Sequence, residues 1–109
     1  METEYQFVYV TTENEEQAMT IARAVVGERL AACGNILPGM RSVYWWDGAL
    51  LEAAEAVLIL KTRRDLFDTL AERIRELHSY DCPCIVALPI AAGSAAYLEW
   101  ISAETSIHP

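Results

Sequence analysis

The sequence has few basic residues. It contains 8 Lys and Arg against 16 Asp and Glu, which gives a formal net charge of −8. Nucleic-acid binding draws its affinity from clustered Lys and Arg that neutralise phosphates. The composition therefore argues against a nucleic-acid partner, although it leaves room for a small anion at one local site.

Long apolar runs and cysteines are also scarce. The longest apolar run, from Cys84 to Ala92, is about half of what a membrane span needs. The opening residues are acidic and show no basic and apolar leader pattern. Three cysteines, an odd number, fit reduced thiols in a cytoplasm better than a disulfide framework. We expect a soluble cytoplasmic protein without a membrane partner.

Motifs of the common enzyme classes are missing as well. The sequence has no glycine-rich phosphate loop and no nucleophile elbow, and it places no paired carboxylates in a predicted cleft. Cys33 and His78 resemble a nucleophile and its base, but the topology predicted below puts them at opposite ends of a sheet. We expect no catalysis and no required cofactor.

Apolar residues, by contrast, make up 53% of the chain. A length of 109 residues is the common size of one domain. A chain of this size buries about two thirds of its unfolded surface, which suffices for a core without disulfides or metals. We therefore expect one domain over residues 1–109.

A long hairpin is the clearest local feature. Asp47-Gly48 favours a two-residue turn with positive φ, and apolar β-rich runs flank it from Ile36 to Lys61. Alternation places Val43 and Trp45 on one face of the incoming strand and Tyr44 and Trp46 on the other. Protein should therefore cover both faces of this hairpin.

Four strands and three helices follow from the periodicity. The strands are expected at Tyr5–Thr11, Ile36–Trp46 with an interruption at Pro38-Gly39, Leu51–Lys61 and Cys84–Ala91. The first helix is expected at about Glu13–Ala32, behind a capping box that starts at Thr12. The second is expected from a Thr62 cap to about Ser79. The third follows Gly93-Ser94 and turns Tyr97, Leu98 and Ile101 inward.

The order βαββαβ predicts an α+β, ferredoxin-like fold. Its antiparallel sheet has the spatial order 4-1-3-2, with two helices on one face and an extra C-terminal helix. Two helices cover only one side of the sheet, and a soluble monomer rarely exposes a contiguous apolar face. We therefore expect an oligomer that buries the second face, with Tyr44, Trp45 and Trp46 in the interface.

Several motifs together resemble the CutA divalent-ion tolerance family. They are Arg29-Leu30-Ala31-Ala32-Cys33-Gly34-Asn35-Ile36, Ser42-Val43-Tyr44-Trp45-Trp46-Asp47-Gly48, Lys61-Thr62, His78-Ser79-Tyr80 and Tyr97-Leu98-Glu99-Trp100-Ile101. The resemblance implies a ferredoxin-like subunit in a tight trimer joined through its hairpin strands, a cytoplasmic location in bacteria, and tolerance to copper and other divalent cations. The chain departs from the family pattern at Ala49, where a lysine is usual, and at Cys84, where a glutamate is usual.

His78, Cys82 and Cys84 form a candidate metal site. Imidazole and thiolate are the ligands that Cu(I) and Zn(II) prefer, and all three residues lie where the second helix ends and the fourth strand begins. The alternative is that His78 is a cation at a helix C-terminus and Cys84 a small core residue.

A second candidate site binds an anion or small effector. Lys61, Arg63 and Arg64 gather at the expected start of the second helix, and Cys33 and Asn35 should lie at the same end of the sheet. The alternative is that Asp65 neutralises the arginines.

These features predict a homotrimer that binds divalent or soft metal ions, with copper or zinc as the candidates. The competing hypothesis is a regulatory module similar to the PII nitrogen-signalling proteins, which binds a small anionic effector between subunits.

Overall fold

The computed structural model describes residues 4–106 of the chain. Its elements in order are β1 (Tyr5–Thr12), α1 (Glu15–Gly27), β2 (Cys33–Trp46), β3 (Ala49–Arg63), α2 (Phe67–Leu77), β4 (Ile85–Pro89) and α3 (Ala95–Glu104). A 3₁₀ turn, Arg64–Leu66, joins β3 to α2. No helix in this part of the chain is long and apolar enough to cross a membrane.

The four strands form one antiparallel sheet. Its order, β2-β3-β1-β4, is the predicted order 4-1-3-2 read from the other edge. β1 and β3 lie at the centre, and β2 and β4 form the edges. The predicted α+β, ferredoxin-like class is confirmed.

The core lies between α1, α2 and one face of the sheet. Alternate residues of the central strands, among them Val8 and Leu58, are fully buried there against Ile21 of α1 and Ile74 of α2. Burying side chains of this size stabilises the fold by about 1.5–3 kcal/mol each. We call this side of the sheet the helix face and the other side the open face.

The predicted hairpin turn is confirmed. Asp47 and Gly48 have φ values of 50° and 78°, which is the pair of positive angles that a two-residue hairpin needs. Trp46 pairs with Ala49 directly before and after the turn. The register shifts between Leu37 and Met40, so the predicted interruption at Pro38-Gly39 is a β-bulge.

Beyond the bulge the hairpin projects past the helices. We call residues 40–55 the arm. On its helix-face side, Trp45 is 72% exposed and Leu50 58% exposed, because neither α1 nor α2 reaches this far. On its open-face side, Trp46 is 56% exposed. The arm therefore leaves large apolar side chains uncovered on both faces of the single chain.

Helix α1 ends five residues earlier than predicted. It stops at Gly27, and the chain then reverses through Arg29 in the left-handed region, with φ 66°. Arg29 is held there by the Glu104 carboxylate at 2.9 Å. Ala32, expected to be helical, donates instead to the carbonyl of Lys61 and leads into β2. Pairing with β3 thus replaces the last predicted helical turn.

Both predicted helix caps are wrong. Asn14, not Thr12, caps α1 by accepting from the backbone of Gln17 at 2.8 Å. Thr62 lies inside β3, and its hydroxyl donates to the carbonyl of Leu30 at 2.7 Å. Both threonines are fully buried in strands, where their hydroxyls bond the backbone of neighbouring segments.

The last two elements differ slightly from expectation. β4 runs from Ile85 to Pro89, so that Cys84 precedes the strand. In α3, Ile101 is fully buried as predicted, but Tyr97 is 41% exposed. Tyr97 lies beside the Trp100 ring at 5.5 Å.

Candidate functional site

A cavity lies between the arm and the segment that joins α2 to β4. It has a volume of about 560 Å³. Its lining includes Tyr44 and Trp46 of the arm, and Tyr80, Cys82 and Cys84 of the segment between α2 and β4. Alternation in β2 places both arm residues on the open-face side, so the hairpin register sets which rings face the cavity.

Two residues that line this cavity, Tyr80 and Glu55, form a hydrogen-bonded pair. The Tyr80 hydroxyl donates to Glu55 Oε2 at 2.8 Å. Burial, followed by the Glu55 carboxylate, raises the pKa of Tyr80 well above its ordinary value. Tyr80 therefore stays a neutral donor and fixes the carboxylate in one position.

The two neighbouring cysteines differ in environment. Cys82 is exposed, whereas Cys84 is half-buried. Burial, followed by the charge on Glu55, raises the pKa of the Cys84 thiol. Cys84 is thus a protonated thiol in the metal-free chain, and a bound cation would favour its deprotonation.

His78 is occupied by backbone contacts. Its Nε2 donates to the carbonyl oxygen of Thr11 at 2.8 Å, and its Nδ1 accepts from the backbone N–H of Tyr80 at 3.1 Å. Both ring nitrogens are therefore engaged, as in the neutral Nε2–H tautomer. The imidazole positions the start of the Tyr80 segment and does not line the cavity.

The predicted metal ligands are consequently only partly brought together. Cys82 and Cys84 share the cavity, while His78 lies outside its lining. Across residues 4–106, no group of three or more His, Cys, Asp or Glu side chains is arranged to hold a metal ion. A metal bound by this subunit would have the two thiolates as its soft ligands.

Three of the five predicted anion-site residues lie together on the open face. Lys61 Nζ donates to Asn35 Oδ1 at 2.6 Å, and Cys33 Sγ lies 3.7 Å from the same oxygen. The ammonium also lies 5.7 Å from the centre of the Phe7 ring and 5.8 Å from that of Tyr97. The lysine is therefore already bound by an amide and two aromatic faces.

The arginines do not complete that site. Arg63 Nε lies 3.2 Å from Asp65 Oδ1, which is the neutralisation given as the alternative. Arg64 and Asp65 belong to the 3₁₀ turn, and α2 starts only at Phe67. The anion prediction placed the free amides of the first turn of α2 directly after Thr62. Because α2 starts at Phe67, those amides lie further along the chain than predicted.

Sequence reasoning missed the carboxylates of the cavity. Glu55 and Asp81 both line it, but neither was a predicted site residue. One signal was present: from Ala49 to Ile59, Glu55 is the only charged residue among the open-face positions of β3. A single acid in an otherwise apolar strand face needs a polar partner, and here that partner is Tyr80.

Comparison with known proteins agrees with the fold. The sequence profile of the family described as CutA1 divalent ion tolerance protein matches residues 6–104. A divalent-cation tolerance protein CutA from Thermus thermophilus is 49% identical over 100 residues, covering 92% of this chain and 97% of that protein. Protein CutA 1, chloroplastic, from Oryza sativa is 48% identical over 98 residues, covering 90% of this chain but 55% of that protein. The chain thus spans about half the length of this chloroplast relative.

Solved structures show the same similarity. The crystal structure of CutA1 from Oryza sativa superimposes with a TM-score of 0.92 at 45% identity, covering 96% of each chain. A structure described as the periplasmic divalent cation tolerance protein CutA from Archaeoglobus fulgidus gives a TM-score of 0.91 at 37% identity, covering 94% of this chain and 99% of the other.

Proposed function

The chain belongs to the CutA1 divalent ion tolerance protein family, and from that premise we propose that it acts in cation tolerance by binding a soft metal ion at Cys82 and Cys84. Cu(I) and Zn(II) are the candidate ions, and Cu(I) suits a pair of thiolates best. The observation that carries the proposal is that both thiols line one cavity together with the Glu55 carboxylate. The proposal includes no catalytic activity and no required cofactor.

The charge of the cavity supports a cationic ligand. Glu55 and Asp81 line it, and its lining includes no Lys or Arg. The cation attracted by these carboxylates would lower the free energy of the Cys84 thiolate, whose pKa burial and Glu55 otherwise raise. Cys84, which stands where the family usually has a glutamate, makes the site softer than a carboxylate site would be.

We further propose that the protein is a homotrimer joined through the arm. Trp45, Trp46 and Leu50 are each more than half exposed in the single chain, and Tyr44 lies beside them. An uncovered apolar surface of this kind is typical of a subunit interface. A cytoplasmic location stays a prediction.

The alternative, a PII-like module for an anionic effector, has weaker support. Its central cation, Lys61, is already bound to Asn35 at 2.6 Å, and Arg63 is paired with Asp65. An anion would have to displace both contacts. A thermal-shift screen against nucleotides and small carboxylates, with Lys61→Ala as the control, tests this alternative.

The metal proposal is tested by calorimetry on reduced, metal-free protein. Cu(I) is supplied from a competing chelator, and Zn(II) is titrated in parallel. We expect about one ion per subunit and loss of this binding in the Cys82→Ala, Cys84→Ala double variant. Cys33→Ala removes the third thiol at the other end of the sheet and should bind normally. Unchanged affinity in the double variant would rule out the site.

A further inference from the structure

Cys82 and Cys84 are separated by a single residue, Pro83. Two residues of chain span at most about 7 Å between Cα atoms, and proline holds φ near about −65°, which keeps the segment below full extension. A disulfide joins Cα atoms that lie about 4.4–6.8 Å apart. The two sulfur atoms can therefore be joined without a rearrangement outside this short segment.

The segment that carries both thiols has few contacts that would oppose such a bond. α2 ends at Leu77, and β4 begins at Ile85. Among the turn and loop hydrogen bonds between backbone groups of residues 4–106, none involves residues 81–84. Closing a ring here therefore breaks no backbone hydrogen bond of a helix or a strand.

The third cysteine lies too far away to compete. Cys33 begins the edge strand β2, whereas Cys84 directly precedes the opposite edge strand, β4. Three strand spacings of about 4.8 Å separate these edges, or about 14 Å in all. This distance exceeds the Cα separation of a disulfide. Of the three cysteines, only Cys82 and Cys84 can pair within one chain.

The two thiols of the pair differ in access. Cys82 is exposed, whereas Cys84 is half-buried. Redox-sensing cysteines are typically accessible and lie beside a second cysteine that resolves the first oxidation product. A ring this small gains little stability from loop closure, and exposed or strained disulfides are the readily reduced ones. The pair therefore suits a reversible switch better than a structural disulfide.

We propose that Cys82 and Cys84 are a peroxide-sensitive thiol pair that closes reversibly into a disulfide. The Cys82 sulfur attacks one oxygen of hydrogen peroxide, the O–O bond breaks, and the other oxygen leaves as water with the Cys82 proton. The Cys84 sulfur then displaces the hydroxyl group of the Cys82 sulfenic acid, which leaves as water with the Cys84 proton. Peroxide takes up the two electrons that the thiols lose. Neither cysteine belongs to the arm, and the bond forms within the segment, so the reaction needs no open cavity beside the proposed subunit interface.

The consequence for a metal ion rests on the proposed function, whereas the disulfide itself does not. Metal ligation by cysteine requires the thiolate, and a disulfide has none. Oxidation therefore removes both soft ligands in one step and releases the ion.

Peroxide treatment of the reduced, metal-free full chain in EDTA, followed by peptide mass spectrometry, tests the disulfide. We expect the peptide that contains Cys82 and Cys84 to lose two hydrogen atoms, and dithiothreitol to restore them. Cys84→Ser removes the resolving thiol, so its Cys82 sulfenic acid should persist and react with dimedone, whereas the parent should give no dimedone adduct. Cys33→Ala is the matched control and should form the disulfide as the parent does. The proposal is overturned if Cys82 of the parent stays reduced, keeps a dimedone adduct as Cys84→Ser does, or crosslinks two chains.

A second measurement follows the metal ion. Protein loaded with Zn(II) is treated with peroxide beside a chromogenic zinc chelator, and the ion should be released in step with disulfide formation and bound again after reduction. A disulfide that forms while Zn(II) stays bound would overturn the release. A disulfide that forms in a chain that binds no metal would overturn the metal site alone, so the two proposals fail separately.

Discussion

Replacing Tyr80 with phenylalanine removes one hydroxyl and one hydrogen bond. The lost bond is the donation to Glu55 Oε2 at 2.8 Å. A hydrogen bond to a charged group contributes about 1.5–3 kcal/mol, and partial exposure of this pair to solvent reduces that to about 1 kcal/mol. The entropy of unfolding for 109 residues is about 0.23 kcal/mol/K. The melting temperature should therefore fall by about 4 °C at neutral pH.

The same substitution should lose its effect at alkaline pH. Burial and the Glu55 carboxylate raise the pKa of Tyr80 in the folded chain, whereas in the unfolded chain it titrates near 10. The contribution of Tyr80 to the free energy of unfolding is therefore complete below about pH 10. It is lost as the pH rises further, because the tyrosine ionises first in the unfolded state. At pH 11 this ionisation favours the unfolded wild-type chain by up to about 1.4 kcal/mol, a term that the phenylalanine variant lacks.

Urea denaturation at pH 8 and pH 11 measures both effects. The variant should be less stable than the parent at pH 8 and equally or more stable at pH 11. Tyr9→Phe is the matched control, since the Tyr9 hydroxyl donates to the Met40 sulfur at 3.6 Å, a weak acceptor. A Tyr80→Phe effect that is equal at the two pH values, or no larger than that of Tyr9→Phe, would refute the reasoning.

Two further predictions concern thiol reactivity and packing. Iodoacetamide should modify the exposed Cys82 first and Cys84 only as the pH is raised, because burial raises the pKa of the Cys84 thiol. Tandem mass spectrometry of the peptide that contains both cysteines measures the two modification rates, and equal rates would contradict the prediction. Gly34→Ala should cost about 1–3 kcal/mol, since its new Cβ would lie 3.2 Å from Leu60 Cδ2. Gly27→Ala, with nothing within 4 Å of its new Cβ, should stabilise the helix end by about 0.4–1 kcal/mol. Denaturant titration measures the change in unfolding free energy of both variants. If both changes had the same sign, the packing argument would be incorrect.

The hairpin followed directly from local sequence, and the sheet order followed from the βαββαβ order of the elements. Asp47-Gly48 has a narrow set of backbone angles, and the alternation on either side of it fixes the register. The helix boundaries did not follow, because tertiary contacts decided them. Ala32 is compatible with a helix, but its N–H pairs with Lys61, and Thr62 resembles a cap but bonds Leu30 from within a strand.

The candidate site was predictable only in part. Local patterns identified its two thiols as candidate ligands, but they assigned Tyr44 and Trp46 to a subunit interface and did not predict Tyr80 as a site residue. The role of Glu55 depends on a partner 25 residues away. The engagement of His78 depends on the Thr11 carbonyl, 67 residues away. Sequence spacing within one segment gives no information on either contact.

The β-bulge and the short fourth strand also limit how this sheet can meet other strands. Within residues 4–106 its two edges are β2 and β4, and an unprotected edge invites pairing with another chain and aggregation. Proline cannot donate to a ladder, and β4 is bounded by Pro83 and Pro89, while Pro38 interrupts β2. The longest stretch of edge free of proline is residues 39–46, nearly all of it on the arm. Strand addition from another molecule is therefore most favoured at the arm, because the other edge segments without proline, residues 33–37 and 85–88, are shorter.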